Sequence, residues 1–466
     1  MRSASDIAAI RRAVARMRPC TLASLLVSSL AATAQPLPML HRAALANDPA
    51  AAAAQAQVRV AEARLAQAWS AFGPTAALVY NQTESRADET FGRRRFGGKE
   101  LAVQLTQPLV RLPLHSALDA AKAQVEQQRS ALEQTRLESM QRLVEAAFEV
   151  LKARDAVQYA QAQSTATAEQ LASARRTFTV GRAPVTDVRE AEAKADTVAA
   201  QLSAARFDLE LRQQVLAEIV GRPVAGLIER GLTESSLPAV EGSTIADWVG
   251  SAFAASPQVR QSLRALEISE YEVVRADRAH APTVDLTSSV GASSDTGTET
   301  TFVPRRANTA QIGVNVNIPL FASGATQARV REALAARDKA QADVDAARRA
   351  TSLAVRQEFT ATRSAVSQAR GLEAAVRSNE IALRANRRGY EVGMKVNFEV
   401  LESQSRLFEA QRDLSRARYD AWLHYVRLAV AAGVLVESDL ERLDEMLVAD
   451  RAPRLQDRRP APEDPK

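Results

Sequence analysis

The stretch GYEVGMKVNFEVLE, residues 389–402, decides how the chain is read. A Val-Gly pair, Val392-Gly393, interrupts a long run of helix-forming residues, and helix-forming composition resumes at Phe398. An echo, FTVGRAPVTDV, occupies residues 178–188. Phe178 aligns with Tyr390 and Val188 with Val400, both at a spacing of 212, and Gly221 and Gly433 keep that spacing. Further upstream, Pro49 matches Pro257 and Pro74 matches Pro282 at a spacing of 208. Landmarks that recur in order mark a duplication, because chance likeness between Ala-rich helices does not preserve Pro and Gly positions. The reading predicts a first structural repeat over 35–240 and a second over 241–445.

Working outward, each copy has one plan: a short helix (about 50–72 and 258–280), two β segments, then two long helices that meet at the Val-Gly pair. The long helices are predicted over 114–178, 186–220, 326–388 and 398–432. From Leu114 to Arg176 there is neither Pro nor Gly, which at 1.5 Å per residue gives a helix of roughly 90 Å. The second copy carries only Gly371 in the matching run. Apolar residues recur at Leu118, Val125 and Leu132, then at Leu137, Met140, Val144, Phe148 and Leu151. That narrow, heptad-like stripe predicts lateral coiled-coil packing. Helices of this length fit a rod or the wall of a tube.

The β segments are expected over 74–84, 99–108, 282–291 and 309–320. In QIGVNVNIPL, residues 311–320, Ile312, Val314, Val316 and Ile318 alternate with polar or small residues. Such a period of two gives one apolar and one polar face. Polar loops are expected over 83–98, with the basic run Arg93-Arg94-Arg95, and over 291–308. The alternation fits strands with lipid outside and water inside, and it equally fits a half-buried soluble hairpin. Four strands cannot close a membrane barrel, because unpaired edges are forbidden in hydrocarbon. Three copies of four strands would supply 12, a plausible pore width.

Composition narrows the function. The five Arg before residue 35 face one Asp, and without that segment 55 basic side chains balance 54 acidic ones. Bulk charge therefore predicts no nucleic-acid partner. Residues 1–34 read as a secretory signal peptide: a basic part ending at Arg18, an apolar stretch Thr21–Ala32, and Ala32-Thr33-Ala34 before the cut. Cys20, the only cysteine, follows Met17-Arg18-Pro19 rather than small apolar residues, so no lipid anchor is expected. After the leader no apolar run is long enough for a transmembrane helix. His41, His115, His280 and His424 stand singly, and no Ser-His-Asp or P-loop pattern occurs. No enzyme activity, cofactor or metal is expected. Residues 446–466, rich in Pro and charge, read as a disordered tail.

With export signal, duplication, two strand pairs and paired long helices, the chain resembles the TolC family of bacterial outer-membrane efflux and secretion ducts. The likeness covers about residues 38–445 and is most specific in GYEVGMKVNFEVLE and its echo. It implies a mainly α, TolC-like duplicated fold: a homotrimer with a 12-stranded outer-membrane β-barrel and a coiled-coil periplasmic tunnel. It also implies that the Val-Gly turns at Gly181 and Gly393 lie at the inner mouth and meet a periplasmic adaptor (membrane fusion) protein. That adaptor would couple the duct to an inner-membrane ABC or proton-driven transporter. The family's acidic constriction falls on Glu399 and Glu402, which three copies would turn into six carboxylates around one mouth, favouring cations. The closure latch falls on Tyr390, Lys395, Thr186 and Asp187, with Lys395 where TolC has arginine and so without a bidentate fork. The cargo is expected to be a protein on a type I secretion route. A small-molecule efflux duct and a pore-less periplasmic coiled-coil scaffold are the alternatives.

Overall fold

The computed structural model describes residues 36–449, apart from 90–91, 182–183, 225–229, 233–236, 240–243 and 297–302. The leader and the last 17 residues thus lie outside the described residues. The first half runs α1 (Leu37–Asn47), α2 (Pro49–Ser70), β1 (Thr75–Glu89), β2 (Gly92–Val110), α3 (Leu112–Thr179) and α4 (Val185–Val220). A short strand β3 (Arg230–Leu232) precedes the second half. That half runs α5 (Ile245–Ala255), α6 (Pro257–Asp277), β4 (Thr283–Asp295), β5 (Arg305–Asn317), α7 (Ala325–Glu391) and α8 (Asn397–Ala432). It ends in α9 (Glu437–Met446) and β6 (Leu447–Ala449).

Length follows from composition. The 68 residues of α3 and 67 of α7 are dominated by Ala, Gln, Glu and Arg, all strong helix formers. Each helix is therefore about 100 Å long. Pro113 sits in the first turn of α3, where its missing N–H costs nothing. Gly371 lies inside α7 with open space where a side chain would stand.

The four long strands form one antiparallel sheet in the order β1-β2-β4-β5, so the halves join between β2 and β4. Register puts one set of side chains on a common face: Leu78 and Tyr80, Leu101 and Val103, Leu286 and Val290, Ile312 and Val314. The opposite face carries Asn81, Gln104, Thr287, Ser289, Gln311 and Asn315. Among the described residues no protein layer covers the apolar face; Leu78, Val103, Val290, Ile312 and Val314 are all more than half exposed. A half-buried soluble hairpin would hide that face, and the lipid-facing alternative is the one this geometry fits. At the foot of the sheet Arg111 grips Asp285 with two hydrogen bonds of 2.9 and 2.8 Å, locking the end of β2 to β4.

The strands reach further than their alternation predicts. β1 and β2 pair in register as far as Glu89 and Gly92, through the expected loop, and β4 extends to Asp295. Ladder hydrogen bonds carry these polar ends, which no hydrophobic period marks. The expected tail is shortened from its front: Leu447–Ala449 pairs with β3, and Leu447 is buried.

The main core lies midway along α3. Leu143, Val144, Phe148 and Leu151 meet Leu37 and Leu40 of α1, Leu216 of α4, Tyr419 and Val426 of α8, and Leu440 of α9. Phe148 is fully buried, its ring edge-on to Tyr419 at 5.5 Å. Burial also pushes the Tyr419 phenol above its ordinary titration range. Beside it Ser415 and Arg154 both bond Asp155, tying α8 to α3.

Two stability outcomes follow. Phe148→Ala removes a fully enclosed ring and is expected to cost about 3–5 kcal/mol, read as a lowered denaturation midpoint. His41 is buried, and neither ring nitrogen has a hydrogen-bond partner among the described residues. Burial lowers its pKa, outweighing the attraction of Glu437. The unfolded chain therefore takes up the proton first, and stability is lost as pH falls below about 6.5. The melting temperature should drop between about pH 7.5 and pH 5 in the native protein, and less in His41→Leu.

Candidate functional site

At the ends of α3 and α7 farthest from the sheet, each long helix turns back through a glycine. Gly181 accepts the first turn at φ 73° and Gly393 the second at φ 75°, conformations that favour glycine. Their N–H groups donate to Phe178 O at 2.9 Å and Tyr390 O at 3.0 Å. Open space surrounds both α-carbons, so positive φ, rather than close helix approach, is what fixes glycine there. The second turn is tighter still: Met394 and Lys395 both donate backbone N–H groups to Gly389 O, at 2.8 and 3.1 Å. A side chain at Gly389 would strike the Lys395 stem at 2.6 Å.

The two hairpins are joined. Leu401 of α8 inserts among Ala174, Leu171, Ala191 and Val188 of the first hairpin. Gln170 donates to Asn397, which is fully buried at the start of α8. Leu383, Val400, Leu407 and the half-buried Tyr390 form the second hairpin's own seam. Beyond these contacts the tips expose apolar side chains among charged ones: Val180, Val392, Met394, Val396 and Phe398 are each more than half exposed, and the flanking Glu391 and Lys395 are exposed as well. Together they form a partly apolar rim at this end of the molecule. The motif gives the glycines but not the rim, although Val and Phe stand near both glycines and Met394 follows the second.

The acidic pair is placed but not free. Glu399 and Glu402 stand one turn apart on α8, both part-exposed. Lys395 bonds Glu399 across the N-terminus of α8, and Arg406 donates to Glu402 at 3.2 Å. Each carboxylate thus has a base four residues away, the spacing at which helical side chains meet. Exposed pairs of this kind contribute only a few tenths of a kcal/mol, yet they neutralise the local charge. The partner Arg406 was readable from the E-x-x-x-R spacing.

The expected latch is not assembled within the chain. Among the described residues no hydrogen bond joins Tyr390 or Lys395 to Thr186 or Asp187. The physical reason is competition: Glu399 is the nearer acid for Lys395, and Asp187 sits in the first turn of α4, where the helix dipole already stabilises it. Among the described residues there is also no His, Cys or carboxylate group able to hold a metal, and no helix long and apolar enough to cross a membrane.

A membrane-facing sheet set on a bundle of 100 Å helices is the architecture of an outer-membrane duct. The model of the family described as "Outer membrane efflux protein" matches residues 40–222 and 248–434, one match per repeat. The chain belongs to this family of TolC-type outer-membrane channels. Among its relatives, the alkaline protease secretion protein AprF of Pseudomonas aeruginosa is 29% identical, over 89% of this chain and 87% of its own. The outer membrane protein TolC of Vibrio cholerae is 29% identical, over 88% of this chain and 94% of its own. The crystal structure of the Campylobacter jejuni CmeC outer membrane channel superposes with a TM-score of 0.72 at 18% identity, covering 88% and 89% of the two chains. The protein is a passive conduit of the outer membrane that extends into the periplasm and takes part in tripartite export.

Replacing both Lys395 and Arg406 by Gln unmasks the two glutamates. Single-channel currents should then become more cation-selective, and replacing Glu399 and Glu402 by Gln should reverse the change. An unchanged reversal potential in all variants would place these carboxylates outside the ion path.

Proposed function

We propose that three copies of the chain close one 12-stranded barrel and that the resulting duct exports small molecules. The observation that carries the assembly is the sheet: an exposed apolar face between two edges, β1 and β5, that have no strand partner among the described residues. Pairing β5 of one copy with β1 of the next removes every edge, as hydrocarbon requires. The helices then continue as a tunnel through the periplasm. The apolar rim around Gly181 and Gly393 receives the periplasmic adaptor, which links the duct to an ABC or proton-driven transporter. Tyr390, Lys395, Thr186 and Asp187 meet as a latch only between hairpins of the assembled mouth.

Both halves match a family described by efflux, and this supports a small-molecule cargo over the protein cargo expected from the sequence. Type I protein secretion is the second reading, favoured by the likeness to AprF along most of the chain. Deleting the gene separates the two. Efflux is supported if dyes and antibiotics accumulate, the wild-type gene restores their exclusion, and the secreted proteins are unchanged. Loss of one secreted protein with unaltered drug accumulation would establish the second reading instead. Absence of any conductance from the folded protein in a planar bilayer would leave only the scaffold.

A further inference from the structure

The register of the sheet sorts charged residues as well as apolar ones. On the lipid-facing side, Ala76–Tyr80, Leu101–Leu105, Val284–Ala292 and Asn308–Val316 contribute every second residue, and none of these is charged. The next row outward is Gln82, Lys99, Ser294 and Arg306, aligned across all four strands. Lys99 stands two residues beyond Leu101, and Arg306 two residues before Asn308. Each cation is thus attached about 7 Å past the apolar band. Higher on the same face Arg86 lies directly opposite Arg95. All four cations are exposed.

The long helices leave the sheet at its other end and extend into the periplasm, so this row lies at the outer leaflet. Acids are sorted the other way. Glu100 and Asp295 alternate onto the inward face, where Asp295 lies opposite Arg305. Glu84 shares the outward face but bonds none of the cations. Among the described residues, Arg86, Arg95, Lys99 and Arg306 have no hydrogen-bond or ion-pair partner. Like charges directly opposite on neighbouring strands repel. The Arg86–Arg95 pair is therefore unfavourable until an anion from outside the chain sits against it.

The row also has a shape. Tyr80, Lys99, Leu101, Ser294, Arg306 and Asn308 line a shallow cleft of about 230 Å³, which Glu100 borders from the inward-facing register. Lys99 and Arg306 flank it two strand spacings apart, about 10 Å. Ser294 lies between them and has a hydroxyl to donate. Beneath, the Tyr80 hydroxyl donates to Gln82 at 2.9 Å, at the level where aromatic rings mark the edge of the hydrocarbon. The lower wall is apolar and the upper wall cationic. That combination fits a lipid lying alongside the sheet, its chains against Leu101 and its phosphate against Lys99 and Arg306, better than a soluble anion.

We propose that this cleft binds a phosphate-bearing lipid headgroup of the outer leaflet, with Lys99 and Arg306 holding the phosphate and Arg86 and Arg95 adding attraction from the tier above. The site is complete within one copy of the chain. In the test, the folded protein in an uncharged detergent is titrated with a bisphosphorylated glucosamine-disaccharide lipid (lipid A), and bound lipid is counted by native mass spectrometry. Each cation near a membrane surface contributes about fivefold in affinity, so Lys99→Gln with Arg306→Gln should raise the dissociation constant roughly 30-fold. Lys99→Arg with Arg306→Lys, and the inward-facing Arg305→Gln, should leave it unchanged. Should the double variant fail to fold, Lys99→Gln alone is expected to give the single-charge loss of about fivefold. The same lipid stripped of its phosphates should bind wild type and variant alike. Equal affinity of wild type and Gln variants for the phosphorylated lipid, or an equal loss in Arg305→Gln, overturns the proposal. Displacement of the lipid by millimolar inorganic phosphate overturns it too, and makes the cleft a site for free anions.

Discussion

A strand edge cannot lie bare in hydrocarbon, and the rest of this molecule is arranged around that prohibition. Every unpaired N–H and C=O group in lipid costs several kcal/mol. Among the described residues the large sheet has four strands, too few to close on itself. Its architecture is therefore incomplete by construction. The duplication doubles one strand pair into two, and joins them through β2 and β4 so that only the outermost edges remain. Arg111 and Asp285 fasten that internal joint where strand gives way to helix.

Below the sheet the constraint changes from hydrogen bonding to packing. Helices this long have too little enclosed volume for large side chains along their whole length. The aromatic and branched residues are concentrated in one belt midway along α3, where α1, α9 and the β3–β6 pair supply extra layers. Toward the tips the contacts thin to Ala, Leu and Val, with Gln170 and Asn397 bridging the two hairpins. The lower hairpins are thus held to each other by fewer and smaller contacts than the belt above them.

Much of this was legible in the residues. Long helices announce themselves by the absence of Pro and Gly, and the observed ends fall within three residues of those expected. The duplication was readable because turns need glycine and helix starts tolerate proline. The strand pattern was readable only where one face is apolar; the polar extensions of β1 and β2 carry no period, and backbone pairing alone reveals them. The short helices α1, α5 and α9 were missed because about ten residues span too few turns to show a periodicity. At the tips the glycines and glutamates were found from a motif, but a motif names residues without partners. That Lys395 turns to Glu399, and Arg406 to Glu402, is decided by distances along one helix.

The apolar face of the sheet has a consequence for the order of events in the life of the chain. Every strand that builds this face comes from one copy of the chain. A subunit whose sheet forms before it meets another would present a greasy face and two bare edges to water. If three copies close one barrel, insertion waits on encounters between subunits, so its rate depends steeply on their concentration. Over that interval the sheet is exposed to misassociation of the same chemical kind as correct assembly. A subunit made faster than it finds companions has to be shielded by a holding chaperone or destroyed, and the abundance of finished ducts is set by that race as much as by stability.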